Sequence, residues 1–404
     1  MRQKDVAIAG GGLAGSLAAA MLARKGIDVA MIDPHPVYPP DFRCEKIDGP
    51  QMRILEKTGL ADAVLRASTH DRESWVARFG RLIEKRPGDQ QGLMYDTLVN
   101  TIRAQIPATA EVICAKVTDI TTSAERQIVK LSNGEEISAR LVIVANGLNV
   151  GLRGKLGMER ETISATHSIS IGFDAVPAGR AAFQFPALTY YGEQPAERIP
   201  YITLFPIGTA MRANLFIYSD MQDPWLRQMR ETPQEALFAK LPGLRALMGD
   251  FTVAGFVQIR PVDLYVTKNY QKAGVVLVGD AFATSCPAAG TGARRVLTDV
   301  ERLCNVHIPH WLATPGMAVE KIGAFYDDPV KQACDTFSIT KAYSLRSFTV
   351  DRTLPWVVRR WAKFFMQWGK GTLRRVTAAR TPRRLDADSE ETSQALVRRT
   401  SARG

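Results

Sequence analysis

The fourteen residues GDAFATSCPAAGTG, Gly279–Gly292, follow an apolar run, VVLV at Val275–Val278, and lead into a helical pattern. They carry an aspartate, a proline and three glycines, the composition of a tight segment that exposes its backbone. A second segment of this kind, GGGLAG at Gly10–Gly15, lies far upstream and also follows an apolar run, VAIA at Val6–Ala9. Two strand-terminating turns in one chain suggest a ligand long enough to be held at both ends.

The upstream turn is the easier to read. Gly10, Gly12 and Gly15 have the G-x-G-x-x-G spacing, between a strand (Lys4–Ala9) and an alanine-rich helix (Leu13–Lys25). The first glycine permits the turn, the second lets backbone approach a diphosphate, and the third lets helix and strand pack closely. The N–H groups at the helix start, around Leu13 and Ala14, face the phosphates with partial positive charge. A second strand, Asp28–Ile32, ends at Asp33, where a carboxylate accepts hydrogen bonds from a ribose. This order predicts dinucleotide binding but does not choose between NAD and FAD.

The downstream turn makes that choice. A flavin carries a ribityl chain and a flat ring beyond its diphosphate. Gly279 and Asp280 end the VVLV strand, placing a carboxylate for a ribityl hydroxyl. Pro287 stops the extended segment, and Gly290, Thr291 and Gly292 bring backbone and a helix N-terminus to the ring. That terminus stabilises the negative charge of a reduced flavin. The expected cofactor is FAD.

On these residues the chain resembles the single-component FAD-dependent aromatic hydroxylases, the para-hydroxybenzoate hydroxylase-like group, with relatives among ubiquinone-pathway hydroxylases, geranylgeranyl reductases and flavin halogenases. The family pattern G-D-A-x-H-x-x-x-P-x-x-G-x-G is met by Gly279, Asp280, Ala281, Pro287, Gly290 and Gly292, with Ala283 in place of the histidine. Asp299 matches a family aspartate in the next helix, and Arg43, in FRCEKIDGPQMRILEKTGL, matches an arginine near the flavin. A further motif maps onto ANGLNVGLR, Ala145–Arg153, keeping Arg153 but replacing an aspartate by Asn146 and a serine by Val150. The resemblance implies that NAD(P)H reduces FAD and that a C4a-hydroperoxyflavin delivers one oxygen atom to an aromatic or lipophilic small molecule. Two alternatives stay open: an FAD-dependent reductase acting on C=C bonds, and a non-catalytic flavin-binding sensor suggested by Asn146, Val150 and Ala283. Halogenation ranks lower, since the halogenase signature W-x-W-x-I-P is absent.

The fold class expected is α/β, a Rossmann-like FAD-binding domain with an inserted antiparallel β-sheet substrate domain and C-terminal helices. Residues 1–165 and 255–310 are assigned to the cofactor domain, 166–254 to the substrate domain, 311–370 to helices and 371–404 to a basic, solvated and disordered tail. Alternating aromatics from His167 to Tyr218 are expected to wall an apolar pocket. Catalysis centred on a flavin needs few acid–base side chains, so His167, Arg212 and Tyr218 are only weak candidates for catalytic residues, and Arg212 and Arg260 for meeting an acidic substrate. Cys44 and Cys286 are candidates for lying near the flavin, with a small buried thiol as the plainer reading.

The chain has 404 residues and a net charge of +11. The charge has no folded basic face with interleaved aromatics, so no nucleic-acid partner is expected. Eight arginines against four acids lie between Gly371 and Gly404. Five scattered cysteines and five histidines show no metal-ligand spacing, so no metal is expected, and they fit a reducing cytoplasm. The N-terminus enters a strand at once, unlike a secretory signal, and no apolar run is long enough to span a bilayer. LPWVVRRWAKFFMQWGK, Leu354–Lys370, is amphipathic and basic, with Val357, Trp361, Phe364, Phe365 and Trp368 on one face. It reads either as a helix docked on its own core or on a second copy, or as a peripheral membrane contact.

Overall fold

The computed structural model describes residues 1–380. Its first sheet is built on parallel strands in the order Glu111–Cys114, Val29–Asp33, Arg2–Ala9, Glu136–Val144. Glu136–Val144 pairs antiparallel with Gln127–Leu131 through its first half, and parallel with Val275–Leu277 through its last three residues. The central strands carry apolar runs, Val6–Ala9, Val29–Ile32 and Leu141–Val144, because both faces are covered there. Val6, Ile8, Val142, Ile143, Val275 and Val276 are fully buried under the helices Leu13–Arg24 and Gly292–Arg302. Three of the strands end at Ala9, Val144 and Leu277, and the segments that follow them open on the same edge. The carboxyl edge of a parallel sheet is where such folds bind ligands.

The second sheet has the order Phe251–Lys268, Glu159–Pro177, Ala210–Ile217, Tyr201–Ile207, Ala187–Tyr191, Glu73–Arg78, Arg81–Pro87. Its side chains alternate as a half-covered sheet requires. Ile202, Leu204, Ala213 and Leu215 pack under the helices Pro224–Glu231, Pro233–Lys240 and Leu244–Met248, while Tyr201, Thr203, Phe205, Asn214 and Phe216 face the opposite way, into a cleft. Cys44–Ile47, Gln91–Met94 and Thr69–His70 form a small third sheet between the two.

Two differences from the sequence expectation concern the division of the chain. Residues 73–87 lie within the span assigned to the cofactor domain, yet they form a hairpin at the edge of the second sheet. Glu73–Arg78 pairs parallel with Ala187–Tyr191, so that sheet is mixed rather than purely antiparallel. The expected boundaries at 165/166 and 254/255 fall inside Glu159–Pro177 and Phe251–Lys268, which pair with each other almost end to end. At one end these two strands frame the second core; at the other, Thr267 donates from its backbone N–H to Phe282 and from its hydroxyl to Ala281, both at 2.8 Å. The register shifts between Thr162 and Ser168. There Thr166 has φ +41, a local break where the ribbon passes from one core to the other.

The C-terminal helices include Pro329–Val350 and Leu354–Arg380. The latter is helical through 371–380, the first part of the stretch read as a disordered tail; the remainder of that tail lies outside the described residues. No helix among the described residues is long and apolar enough to cross a membrane.

Candidate functional site

A single cleft of about 1980 Å³ is lined by both glycine turns, with Gly10, Gly12, Leu13 and Ala14 from one and Asp280, Pro287, Gly290 and Gly292 from the other. Asp33 and Arg43 also line it. Gly15, Gly279 and Thr291 do not; Gly15 packs on Gly10, and the other two hydrogen-bond to Asp299 and Ser338.

The upstream turn is built by backbone contacts. Gly10 takes φ +108, and a Cβ there would come within 2.6 Å of the Ala145 carbonyl oxygen. A Cβ on Gly15 would lie 1.8 Å from the Gly10 carbonyl oxygen, so the third glycine is required for the helix to sit against the turn. Gly12 differs: it lines the cleft, has φ −72, and a Cβ there would meet no protein atom within 4 Å. Neither packing nor backbone conformation demands a glycine at this position, which leaves room for a ligand to approach the backbone closely. The helix that begins at Leu13 has no side-chain cap, leaving its first N–H groups toward the cleft.

Asp33 accepts from the Gly11 N–H at 2.7 Å and the His35 N–H at 2.9 Å. It is also paired with Arg103 at 3.1 Å. Arg103 in turn donates to the Gly11 carbonyl from Nε at 2.8 Å and Nη2 at 2.6 Å, and to the His35 carbonyl at 2.7 Å. This arginine clamps the turn to the second strand. Nothing local in the sequence marks this arginine, because Gly11, Asp33 and His35 lie far from it along the chain.

The downstream turn is held from behind. Gly279, at φ +59, donates its N–H to Asp299 at 3.0 Å. Asp299 is buried against Lys331 Nζ at 2.9 Å, and Lys331 also meets Asp335 at 2.9 Å. Arg295 joins Asp335 at 2.7 Å and donates to the Ala283 carbonyl at 2.8 Å. Arg153, almost fully buried, donates to the carbonyls of Asp280 and Ala281, and the Tyr265 hydroxyl donates to the Asp280 carbonyl. Thr291 closes the segment through a 2.7 Å hydroxyl contact with Ser338. The backbone of Asp280 is thus fixed, while its carboxylate makes no hydrogen bond among the described residues. Burial raises the pKa of that carboxyl; Arg43, Arg295 and Arg153 pull against this.

Arg43 stands over the Tyr95 ring at 3.9 Å and is bound by Asp41 through Nε at 2.9 Å and Nη2 at 2.6 Å. Burial works against its charge, but the bond to Asp41 keeps its pKa above the ordinary arginine value.

The three weak catalytic candidates lie outside the cleft lining. Arg212 pairs with Asp174 at 3.1 Å and donates to the Phe42 carbonyl, so it ties the loop before Arg43 to the second sheet rather than meeting a substrate. His167 is buried beside Ser164 at 3.1 Å, edge-on to Tyr218 and Tyr343. Burial, reinforced by Arg346, lowers its pKa to about 4. Tyr218 is buried next to Cys286, its pKa raised chiefly by burial. Cys286 is itself fully buried, while Cys44 exchanges hydrogen bonds with Asn214. Arg260 does line the cleft.

Several features fit a bound dinucleotide. Gly292 resembles Gly12, since a Cβ there would meet no protein atom within 4 Å; Gly290 is equally open but takes φ +63, which by itself favours glycine. The helix Gly292–Arg302 also lacks a side-chain cap. Asn146 lines the cleft, and its Oδ1 is buried without a partner. The far wall is the aromatic face of the second sheet, where Tyr201 donates to the Ala288 carbonyl and so joins that wall to the downstream turn.

At the cleft mouth lie Trp356, Arg359, Lys363 and Met366 of the helix Leu354–Arg380. The inner edge of that helix docks on its own chain: Trp361 stacks on Phe79 at 6.3 Å, Phe364 meets Phe79 edge-on at 5.7 Å, and Arg360 donates to the Phe348 carbonyl at 2.9 Å. Leu354, Val358, Trp361, Phe365 and Trp368, spaced as one helical stripe, remain about half to three-quarters exposed.

Comparison with known proteins agrees with this geometry. A family profile described as "FAD binding domain" matches residues 3–306. The chain is similar to 3-demethoxyubiquinol 3-hydroxylase of Escherichia coli strain K12, 26% identical over 323 residues that cover 75% of this chain and 79% of the relative. It is similar also to digeranylgeranylglycerophospholipid reductase of Thermoplasma acidophilum, 27% identical over 316 residues, 72% of this chain and 74% of the relative. Among solved structures, p-nitrophenol 4-monooxygenase from Pseudomonas putida DLL-E4 superposes with a TM-score of 0.72 at 17% identity, covering 92% of this chain and 95% of that one.

Proposed function

The chain belongs to the FAD binding domain family and is an FAD-dependent oxidoreductase, and from that premise we propose that it is a monooxygenase, reduced by NAD(P)H, acting on a lipophilic small molecule with an aromatic or quinol head. The observation that carries this reading is the wall of the cleft. Opposite the two glycine turns stand Tyr191, Tyr201, Phe205 and Phe216, an apolar surface for a ring. The mouth is bordered by an amphipathic helix whose outer stripe is exposed.

FAD, when bound, supplies the activation of O2 and the transfer of one oxygen atom. The chain supplies the rest. The Gly12 backbone and the helix starting at Leu13 would hold the diphosphate, and Asp33, set by Arg103, would take the ribose. Asp280 would accept from the ribityl chain, and the N-terminus of the helix Gly292–Arg302 would lie against the ring and favour its negative charge. The sheet face excludes water and orients the substrate.

The helix Leu354–Arg380 contains five arginines, two lysines and no acid. Such a charge opposes a second copy of the same helix and suits an anionic bilayer surface, with the exposed tryptophans and phenylalanine at the interface. A substrate partitioned into lipid would then reach the cleft past Trp356 and Met366.

The FAD-loaded protein, NADH or NADPH and a short-chain prenylated phenol under labelled O2 test the reading. One labelled oxygen atom in the product and substrate-stimulated O2 uptake are expected. Anaerobic saturation of the prenyl double bond would establish the reductase reading instead, which the Thermoplasma relative's name motivates. Sedimentation with phosphatidylglycerol vesicles should carry down the native protein but not Trp361→Glu/Phe365→Glu; equal binding of both would remove the membrane role.

A further inference from the structure

Glu45 lines the cleft and has no part in the arrangement described so far. It sits on the short strand Cys44–Ile47, whose side chains alternate between two surroundings. Cys44 bonds to Asn214, and Lys46 lies 5.5 Å from the centre of the Phe205 ring, so both face the second sheet. Glu45 lies between them and faces the other way, into the cleft that Arg43, Tyr95 and Asp280 also line. Its carboxylate makes no hydrogen bond among the described residues.

The charges on this face decide what that placement does. Three carboxyls, Asp41, Glu45 and Asp280, line this cleft together with Arg43, the cation that all three feel. Arg43 is already bound twice by Asp41. Asp280 also feels Arg295 and Arg153. Glu45 has Arg43 alone. Burial pushes the Glu45 carboxyl up to about 7; Arg43 pulls against this, while Asp280 and Asp41 add to it. A ligand carrying a diphosphate adds more negative charge and removes more water, and both changes favour the neutral acid.

We propose that Glu45 is the proton acceptor coupled to cofactor loading: when FAD enters the cleft, one proton passes from solvent to the Glu45 carboxylate, and the site holds FAD in that protonated form. No other bond forms or breaks. By linkage, affinity for FAD falls as pH rises through the Glu45 midpoint of the free protein, and Glu45→Gln, a permanent mimic of the neutral acid, removes that dependence.

FAD-free protein is titrated with FAD between about pH 6 and 9, following flavin fluorescence, where linkage sets a limit of about tenfold in Kd per pH unit. The native protein should approach that slope above pH 7, and Glu45→Gln should stay flat. His35 also lines the cleft, beside Asp33, so His35→Asn is the control and should keep the slope. Calorimetry at about pH 8 in phosphate and in Tris counts protons on the unaltered protein, with an expected uptake approaching about one per FAD where free Glu45 is mostly ionised. A native Kd independent of pH, a proton count of zero, a slope that persists in Glu45→Gln, or a slope abolished by His35→Asn would each overturn the assignment. FAD binding and proton count are read without turnover, so the result stands apart from the choice of substrate.

Discussion

Gly12→Ala and Gly15→Ala remove the same kind of residue from the same turn, yet the structure predicts opposite outcomes. At Gly15 the new Cβ would lie 1.8 Å from the Gly10 carbonyl oxygen and 3.2 Å from Ile8 Cγ2. Backbone must move, at a cost of about 1–3 kcal/mol, with the upper end expected for so short a contact. The better helix propensity of alanine offsets about 1 kcal/mol. A net loss of roughly 2 kcal/mol should lower the melting temperature of FAD-free protein by several degrees. At Gly12 the backbone, φ −72 and ψ −165, suits any residue, and a Cβ meets no protein atom within 4 Å. The FAD-free variant should melt at or slightly above the native temperature, since alanine restricts the unfolded chain by about 0.4–1 kcal/mol. Its methyl group would instead stand where the diphosphate approaches. An overpacking cost of about 1–3 kcal/mol corresponds to roughly a 5- to 150-fold rise in Kd for FAD. Thermal melts of stripped protein and fluorescence titration with FAD give both numbers. If Gly12→Ala melts as low as Gly15→Ala, or binds FAD as tightly as the native chain, the division of roles between these glycines is wrong.

Other expectations follow from the supports of the site. Arg103→Ala should weaken FAD binding by about ten- to a hundredfold, the worth of charged hydrogen bonds of about 1.5–3 kcal/mol, measured by the same titration. Lys331→Met leaves Asp299 buried and unpaired and should cost about 3–5 kcal/mol in denaturant unfolding, with part recovered in Lys331→Met/Asp299→Asn. Asp280→Ala should lose FAD on gel filtration; retention of full yellow colour counts against its ribityl role. His167 has a folded pKa of about 4, below its unfolded value of about 6.5, so unfolded chains bind more protons between these limits. Its contribution is present above pH 6.5 and is lost as pH falls toward 4; His167→Gln should show a shallower acid-side decline in unfolding midpoint.

The two turns were legible because each is local: a strand, its glycines and a helix are contiguous, and their spacing carries the geometry. The aromatic alternation of the cleft wall was legible for the same reason, since period two needs only neighbours. Arg103 and Glu45 were not. Arg103's partners, Gly11 and Asp33, lie far along the chain, and the cleft that Glu45 lines is closed by residues as distant as Asp280. Arg212 looked like a candidate for meeting substrate because the sequence could not show Asp174 and the Phe42 carbonyl beside it. The hairpin 73–87 falls in the span assigned to the cofactor domain but joins the second sheet, since strand pattern does not encode which edge a hairpin joins. The helix at Leu354 showed its amphipathic face plainly, but only the fold divides that face into a docked edge and an exposed one.

The strands Glu159–Pro177 and Phe251–Lys268 contain 19 and 18 residues, a reach of about 60 Å at ordinary strand rise. One ribbon therefore belongs to both halves of the protein. A cassette cut at 166 and 254 would sever it twice and expose raw edges on each piece. Grafting a new recognition wall from a relative onto this scaffold must carry the ribbon whole, or leave it whole in the recipient and exchange only the strands beside it.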